Sequence, residues 1–162
     1  MKMSRFVLSC LLGSLFLVVG CGETSSGDTS CADGEIECDG QCVMGFSTPP
    51  TLAELQTNVF TGSCALSTAC HTGTNAAESL DLSSLDASNT NLLGDGSGAP
   101  SVQSDTLSRV EPGDSSASYL MNKLDGVGLE DDSAGQPSDR MPVDGVLCSP
   151  KLEAVRAWVD SL

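Results

Sequence analysis

The cysteines constrain the fold of this chain more than any other feature. The chain of 162 residues contains 8 cysteines, and six of them follow the N-terminal segment: Cys31, Cys38, Cys42, Cys64, Cys70 and Cys148. Cysteines of an exported protein are usually oxidised or otherwise capped. Because the first three form a cluster with an odd number of thiols, one of them must pair outside the cluster or stay free. The count of six is even, and it stays even if Cys64 and Cys70 serve another purpose, so counting alone does not fix the pairing.

The N-terminus has the order of features that marks an exported protein. Lys2 and Arg5 give a positive start, and residues 6–19 form an apolar run shorter than the roughly 20 residues of a membrane span. The run ends in Val18-Val19-Gly20-Cys21, which resembles the lipobox of bacterial lipoproteins. By this resemblance residues 1–20 are a signal peptide, and Cys21 is the lipidated first residue of a protein anchored to a membrane of the bacterial cell envelope. An ordinary secretory signal with a chance cysteine is the alternative.

The charge balance narrows the classes of partner. The formal net charge is −15 at pH 7, and removal of Lys2 and Arg5 with the signal makes it more negative. A strongly acidic chain is repelled by nucleic acid and by anionic lipid headgroups, so neither is an expected partner. A basic protein partner is compatible with this charge. A solvated acidic surface explains the charge equally well.

Residues 21–50 are predicted to be a lipidated tether followed by a small cysteine-rich segment. Residues 22–30 are small and polar, as in a flexible tether. The segment from Cys31 to Cys42 contains two Asp-Gly turn signals and shows no hydrophobic period, so we expect a small knot held by disulfides. A metal site is the alternative, although no histidine lies nearby.

Residues 51–162 are predicted to form one mostly helical domain. Thr51 and Glu54 have the spacing of a capping box and start a helix over 52–61. In the last helix Ser149 is expected as the N-cap and Pro150 as the first helical residue, where its missing N–H costs nothing.

Between these two helices the prediction is a short helix within long loops. Asp114 is expected to cap a helix over 115–124, whereas residues 72–108 and 126–138 are rich in small and polar residues and are predicted to be loops. No run alternates with the period of two that a strand requires. We therefore expect an all-α fold.

One short stretch carries the most specific chemistry. Cys64-Ala-Leu-Ser-Thr-Ala-Cys70-His71 contains two thiols and the chain's only histidine, and Met141 follows about seventy residues later. A cysteine pair that ends in Cys-His is typical of covalent haem attachment. A histidine and a methionine are the axial iron ligands of cytochromes c.

Several blocks in this order resemble the cytochrome c-like domain of bacterial lipoproteins. The blocks are Val59-Phe60-Thr61-Gly62-Ser63-Cys64, Cys70-His71-Thr72-Gly73, Leu80-Asp81-Leu82-Ser83, Arg109-Val110-Glu111-Pro112-Gly113-Asp114, Ser118-Tyr119-Leu120 with Lys123-Leu124, Arg140-Met141-Pro142, and Val155-Arg156-Ala157-Trp158-Val159. The resemblance covers residues 51–162. It implies an all-α, cytochrome c-like small helical bundle with long loops, in which the first and last helices cross and haem c lies in a crevice.

The same resemblance assigns roles to four residues. Cys64 and Cys70 would form the thioethers to haem c, His71 would be the proximal iron ligand, and Met141 the distal one. Such a protein passes single electrons to a redox partner protein, and the acidic charge of the chain is compatible with a basic partner. It is not an enzyme, because two axial ligands leave no iron position for a substrate.

The spacing of the cysteines departs from the usual attachment motif, which has two residues between them where this chain has five. The alternative is therefore a haem-free, disulfide-bonded lipoprotein module with a binding or structural role. In that case a Cys64–Cys70 or a Cys64–Cys148 disulfide is expected. Hydrolase chemistry, a phosphate-binding loop and an EF-hand find no matching pattern in the chain.

Overall fold

The computed structural model describes residues 30–132, 134–143 and 145–162. The predicted signal peptide, the lipidation site Cys21 and nearly all of the tether lie outside the described residues. Among the helices that are described, none has the length and apolar character needed to cross a membrane.

The cysteine-rich segment forms a β-hairpin, so the prediction of an all-α fold is wrong. Strand β1 (Glu35–Cys38) pairs antiparallel with β2 (Gln41–Met44). The turn residues Asp39 and Gly40 both have positive φ, of 54° and 79°, as a two-residue hairpin turn of the favoured twist requires. A two-stranded hairpin is marginally stable alone, and here a Cys31–Cys42 disulfide closes it. The sequence analysis recognised the Asp-Gly turn but missed the strands, because four-residue strands carry too short an alternation.

The first helix begins as predicted and contains one wide turn. Helix α1 (Leu52–Leu55) starts in the capping box of Thr51 and Glu54, then a π-helical turn (Gln56–Phe60) leads into α2 (Thr61–Ser63). The Thr61 side chain donates to the Gln56 carbonyl over 2.7 Å, and the Thr61 N–H donates to the same oxygen. These bonds stabilise the wide turn.

The middle of the chain is more helical than predicted. Helix α3 (Leu85–Leu93), capped by the Ser84 side chain, lies within residues 72–108, which were expected to be loop. It was missed because its composition is polar and it buries only Ser88 and Leu92.

The helix predicted over 115–124 is interrupted at Ser118, which has extended backbone angles. A 3-10 turn (Ser115–Ala117), capped by Asp114, precedes this residue and α4 (Tyr119–Asp125) follows it. The last helix, α5 (Ser149–Asp160), has Cys148 as its N-cap, so the assignment of Ser149 to that position was wrong by one residue.

The core joins the two ends of the domain. Helix α1 contacts both α3 and α5. Leu55, Val59 and Phe60 share one buried cluster with residues of the last helix, namely Ala154, Val155, Trp158 and Val159. The hairpin is fixed to this core by a second disulfide, Cys38–Cys148, at the start of α5. Of the two alternatives for the odd thiol of the first cluster, pairing outside the cluster or staying free, the structure has the first.

Candidate functional site

The structure brings Cys64, Cys70, His71 and Met141 together around one cleft of about 210 Å³. Apolar side chains form most of the remaining wall, among them Leu80, Leu82, Leu92, Leu120 and Leu124. Tyr119, Arg109 and Lys123 supply polar groups. A mostly apolar cleft with a few convergent polar groups is the usual form of a cofactor or ligand site.

The loop from Cys64 to His71, here called the histidine loop, closes on itself. The Cys64 N–H donates to the Phe60 carbonyl over 3.0 Å, which ends the first helix. The His71 N–H then donates to the Cys64 carbonyl over 3.2 Å. This bond brings the two ends of the loop together, so Cys64, Cys70 and His71 border the same cleft although five residues separate the cysteines.

Cys64 and Cys70 are both free thiols, whereas the other four described cysteines form disulfides. Cys64 lies deep in the structure, and its burial, with the neighbouring Cys70 adding to the effect, raises its pKa to about 12. The Cys64 thiol is therefore protonated at neutral pH. A thiolate nucleophile needs a lowered pKa, whereas the pKa of Cys64 is shifted in the opposite direction. The Cys64–Cys148 bridge expected for the haem-free alternative is not formed, because Cys148 is bonded to Cys38.

His71 is held with one ring nitrogen occupied. Its Nδ1 lies 3.1 Å from the Leu80 carbonyl oxygen. A carbonyl only accepts, so Nδ1 carries the hydrogen and Nε2 keeps its lone pair. Burial lowers the pKa of His71, which keeps the imidazole neutral at neutral pH. A histidine that donates one ring N–H to a backbone carbonyl and offers the other nitrogen is the usual arrangement of a metal-ligating imidazole.

The segment that follows the histidine loop is fixed by a carboxylate. Asp81 Oδ1 accepts from the Gly73 N–H over 3.0 Å and from the Ser83 N–H over 2.9 Å. The Leu82 N–H donates to the His71 carbonyl over 2.9 Å. These bonds place the Leu80 carbonyl beside the His71 ring.

Met141 reaches the cleft from a separate loop. Its N–H donates to the Lys123 carbonyl over 2.8 Å, and Arg140 Nε donates to the Leu124 carbonyl over 2.8 Å. Both acceptors belong to the last turn of α4, where carbonyls lack partners within the helix. The end of α4 thus holds the loop that carries Met141.

Two cations line the cleft, and the sequence analysis gave neither a role. Arg109 donates to the backbone carbonyls of Asn91 and Glu78, over 2.9 and 3.0 Å. Lys123 is 7% exposed, and its Nζ is buried with no hydrogen-bond partner in the described part of the chain. Burial lowers the pKa of Lys123. A buried ammonium is costly unless it is paired, and the carboxylates of Asp139, Glu78 and Asp132 attract this one and offset part of the cost. Both cations stand in motif blocks, but only tertiary structure shows their burial.

A second group of potential metal ligands is not available for a metal. Cys38, Asp39 and Cys148 lie close together, but the two sulfurs are bonded to each other. Disulfide sulfurs are not thiolates and do not act as the cysteine ligands of a metal site. The metal alternative for the cysteine-rich segment is therefore excluded at these residues.

Comparison with known proteins gives no assignment. No protein-family model matches the chain, and neither a curated protein nor a solved structure gives a significant match. The resemblance to cytochrome c-like domains rests on the motif blocks and stays a prediction.

Proposed function

We propose that this protein binds haem c in the cleft and carries single electrons in the bacterial cell envelope. One observation carries most of the proposal: the Leu80 carbonyl fixes His71 Nδ1, and the His71 ring borders a cleft that Met141 also lines. The two disulfides support it, because they use four described cysteines and leave Cys64 and Cys70 as thiols.

The residues of the cleft have the donor chemistry that haem c requires. Cys64 and Cys70 would hold its edge through thioether bonds, and His71 Nε2 and the Met141 sulfur are the two iron-ligating groups. When bound, the haem iron supplies one-electron oxidation and reduction, at a potential that the histidine and methionine raise. Lys123 and Arg109 would place positive charge towards the carboxylates of the haem, and the Lys123 ammonium has no hydrogen-bond partner among the described residues that would compete for it.

Two axial protein ligands make the protein a carrier rather than an enzyme. Its expected partner is a redox protein, and the net charge of −15 favours a basic one. Cys21 would anchor the protein through lipid, and a polar tether would separate the haem domain from the membrane. We do not expect nucleic acid as a partner.

A haem-free binding or structural module is the second candidate. It is supported by a core that buries its apolar residues without a cofactor and by two disulfides that join the hairpin and α5. The five-residue cysteine spacing also fits this candidate, in which Cys64 and Cys70 would pair on oxidation.

The absorption spectrum of the protein, produced together with haem-attachment machinery, separates the two candidates. A Soret band that survives acid–acetone extraction is expected, with haem on a peptide that spans residues 64–71. A protein without covalent haem, or a peptide with a Cys64–Cys70 disulfide, overturns the proposal.

The two methionines of the domain allow a matched test of the distal ligand. Met141 lines the cleft, whereas Met121 is 2% exposed and belongs to the core. Met141→Leu is expected to lower the potential and permit carbon monoxide binding, because the iron loses a ligand. Met121→Leu conserves volume and should leave both properties unchanged. Equal spectra and potentials for the two variants would remove Met141 from the site.

The lipid anchor is tested at Cys21. Cys21→Ala is expected to leave the protein unprocessed or mislocalised, because lipid transfer needs the thiol. If this variant is cleaved at the same site and still fractionates with membranes after alkaline washing, the anchor is not at Cys21.

A further inference from the structure

The segment from Met141 to Cys148, here called the methionine loop, makes few interactions between its own described residues. In the described part of this loop the single internal backbone hydrogen bond joins the Gly145 N–H to the Pro142 carbonyl over 3.3 Å. Val143 is 65% exposed and Val146 is 54% exposed, so these side chains add little packing. Leu147, close to the far end, is buried.

The loop is fixed at its two ends instead. At the first end, Met141 and Arg140 are hydrogen-bonded to carbonyls of α4. At the other end, Cys148 is bonded to Cys38, the last residue of β1. Strand β1 also contacts α5, which begins directly after Cys148.

The hairpin stands next to both loops of the cleft. Cys38 and Asp39 border a second cavity whose wall also includes Pro142, directly after Met141, and Leu66 of the histidine loop. The hairpin therefore lies where it can fix the methionine loop relative to the histidine loop, although neither of its own strands lines the main cleft.

We propose that the hairpin is a positioning element for Met141 and acts through the Cys38–Cys148 disulfide. A loop with few internal bonds samples many conformations unless both ends are held, and each ligand-binding event would have to order it again. With Cys148 held by Cys38, the Met141 side chain is kept at the cleft beforehand. Cys38 and Cys148 are thus positioning residues. That Met141 is positioned as an iron ligand rests on the proposed function. That the disulfide restricts the motion of the methionine loop does not.

The other disulfide of the same hairpin is a matched control. Cys31–Cys42 joins residues 11 apart within the hairpin, whereas Cys38–Cys148 joins residues 110 apart and reaches the methionine loop. The pair Cys38→Ser/Cys148→Ser and the pair Cys31→Ser/Cys42→Ser each remove one bond and leave the other. Only the first pair releases the methionine loop.

Hydrogen exchange of the haem-free protein measures the loop directly. In the Cys38→Ser/Cys148→Ser protein, we expect the Met141 and Gly145 amides to exchange about tenfold or more faster than in wild type, because local opening becomes easier. The His71 and Leu82 amides should change much less. In the Cys31→Ser/Cys42→Ser protein the Met141 amide should keep its wild-type rate. Equal acceleration in both variant pairs, or none in the first, overturns the proposal.

The haem-loaded protein tests the ligand part. The first variant pair is expected to weaken the methionine-to-iron absorption band and to gain carbon monoxide binding, whereas the control pair keeps the wild-type spectrum. If wild type carries no covalent haem, the proposed function fails but the exchange experiment still decides whether the hairpin positions the loop. If the serine pair does not fold, Cys38→Ala/Cys148→Val keeps the buried site apolar and is tested in the same way. Failure of both to fold, with a folded control pair, would make the disulfide a global staple and overturn the positioning role.

Discussion

The two loops that meet at the cleft are held in different ways. The histidine loop is held by backbone hydrogen bonds to the rest of the domain. The Cys64 N–H donates to the Phe60 carbonyl, the His71 N–H donates to the Cys64 carbonyl, and the Leu82 N–H donates to the His71 carbonyl. The methionine loop is held by hydrogen bonds at one end, and at the other by the buried Leu147, by the start of α5 and by the Cys38–Cys148 disulfide. The first loop therefore depends on the packing and polar contacts beneath it. The second depends on a covalent link to a part of the chain more than one hundred residues away.

This difference has a chemical consequence for the proposed haem site. In the proposed site the proximal ligand and the two thioethers would all lie on the histidine loop, whose backbone is fixed by hydrogen bonds. The methionine loop, by contrast, would become mobile when the Cys38–Cys148 disulfide is removed. Substitutions that weaken the hydrogen bonds around the histidine loop should therefore have different effects from substitutions that remove the disulfide at the end of the methionine loop.

The largest expected effect comes from the Cys38–Cys148 disulfide. In the chain-entropy model, a link across 110 residues stabilises the fold by about 4.8 kcal/mol, against about 2.8 kcal/mol for the link across 11 residues. Cys38→Ser/Cys148→Ser should therefore lose more free energy of unfolding than Cys31→Ser/Cys42→Ser, as measured by denaturant titration. Equal losses would show that the long link does not restrict the unfolded chain more than the short one.

The histidine loop is tested through the buried Gln56, which is hydrogen-bonded to Leu82, the residue whose N–H donates to the His71 carbonyl. Gln56 Nε2 donates to the Leu82 carbonyl over 2.9 Å, and Ser88 Oγ donates to Gln56 Oε1 over 2.6 Å. Gln56→Leu leaves both bonds unmade in the core and should lower the free energy of unfolding by about 3 kcal/mol. In Gln56→Leu the Ser88 hydroxyl loses its acceptor. Adding Ser88→Ala removes this hydroxyl, so the double variant should lose less free energy of unfolding than the two single variants lose in sum. Strict additivity would contradict a shared polar contact.

Two glycines with the same backbone angle test the first end of the methionine loop. Gly126 and Gly135 both have φ of +72°, where a side chain is strained. An added Cβ at Gly126 would lie 2.9 Å from Cδ of Arg140, whereas at Gly135 nothing lies within 4 Å. Gly135→Ala should cost about 1 kcal/mol from the left-handed backbone alone. Gly126→Ala should cost about 2 kcal/mol, because it also displaces Arg140 from the Leu124 carbonyl. Faster exchange of the Met141 amide is expected in Gly126→Ala only.

The smallest effect concerns pH and the helix that leads to Cys64. Hydrogen bonds from the Ser47 side chain and from Thr51 lower the pKa of Glu54 from 4.5 to about 2. A carboxyl with a lowered pKa in the folded state stabilises it above the unfolded pKa, and this contribution is lost as pH falls from about 4.5 to about 2. The stability difference between wild type and Glu54→Gln should therefore be present at pH 7 and vanish near pH 2. A difference that is constant over this range would contradict the ionic role of Glu54.

Sequence patterns with local causes predicted the structure best. The capping box of Thr51 and Glu54 is present, and Asp114 is a cap as expected, although of a 3-10 turn and not of the continuous helix that was predicted. The hairpin was missed although its Asp-Gly turn was recognised, because disulfides rather than an apolar face stabilise its short strands. Helix α3 was missed because it is polar and contributes few residues to the core.

The sequence alone determined which side chains are candidates for the site: Cys64, Cys70, His71 and Met141, each identified by its chemistry and its order in the chain. Tertiary structure decided the remaining features. It paired Cys148 with Cys38, buried Lys123 without a hydrogen bond to any described residue, and set the His71 ring against the Leu80 carbonyl. The physical reason is the separation in sequence of the residues that interact. Capping and periodicity depend on neighbours along the chain, whereas disulfide pairing, desolvation and the orientation of a ligand depend on contacts between residues that are distant in sequence.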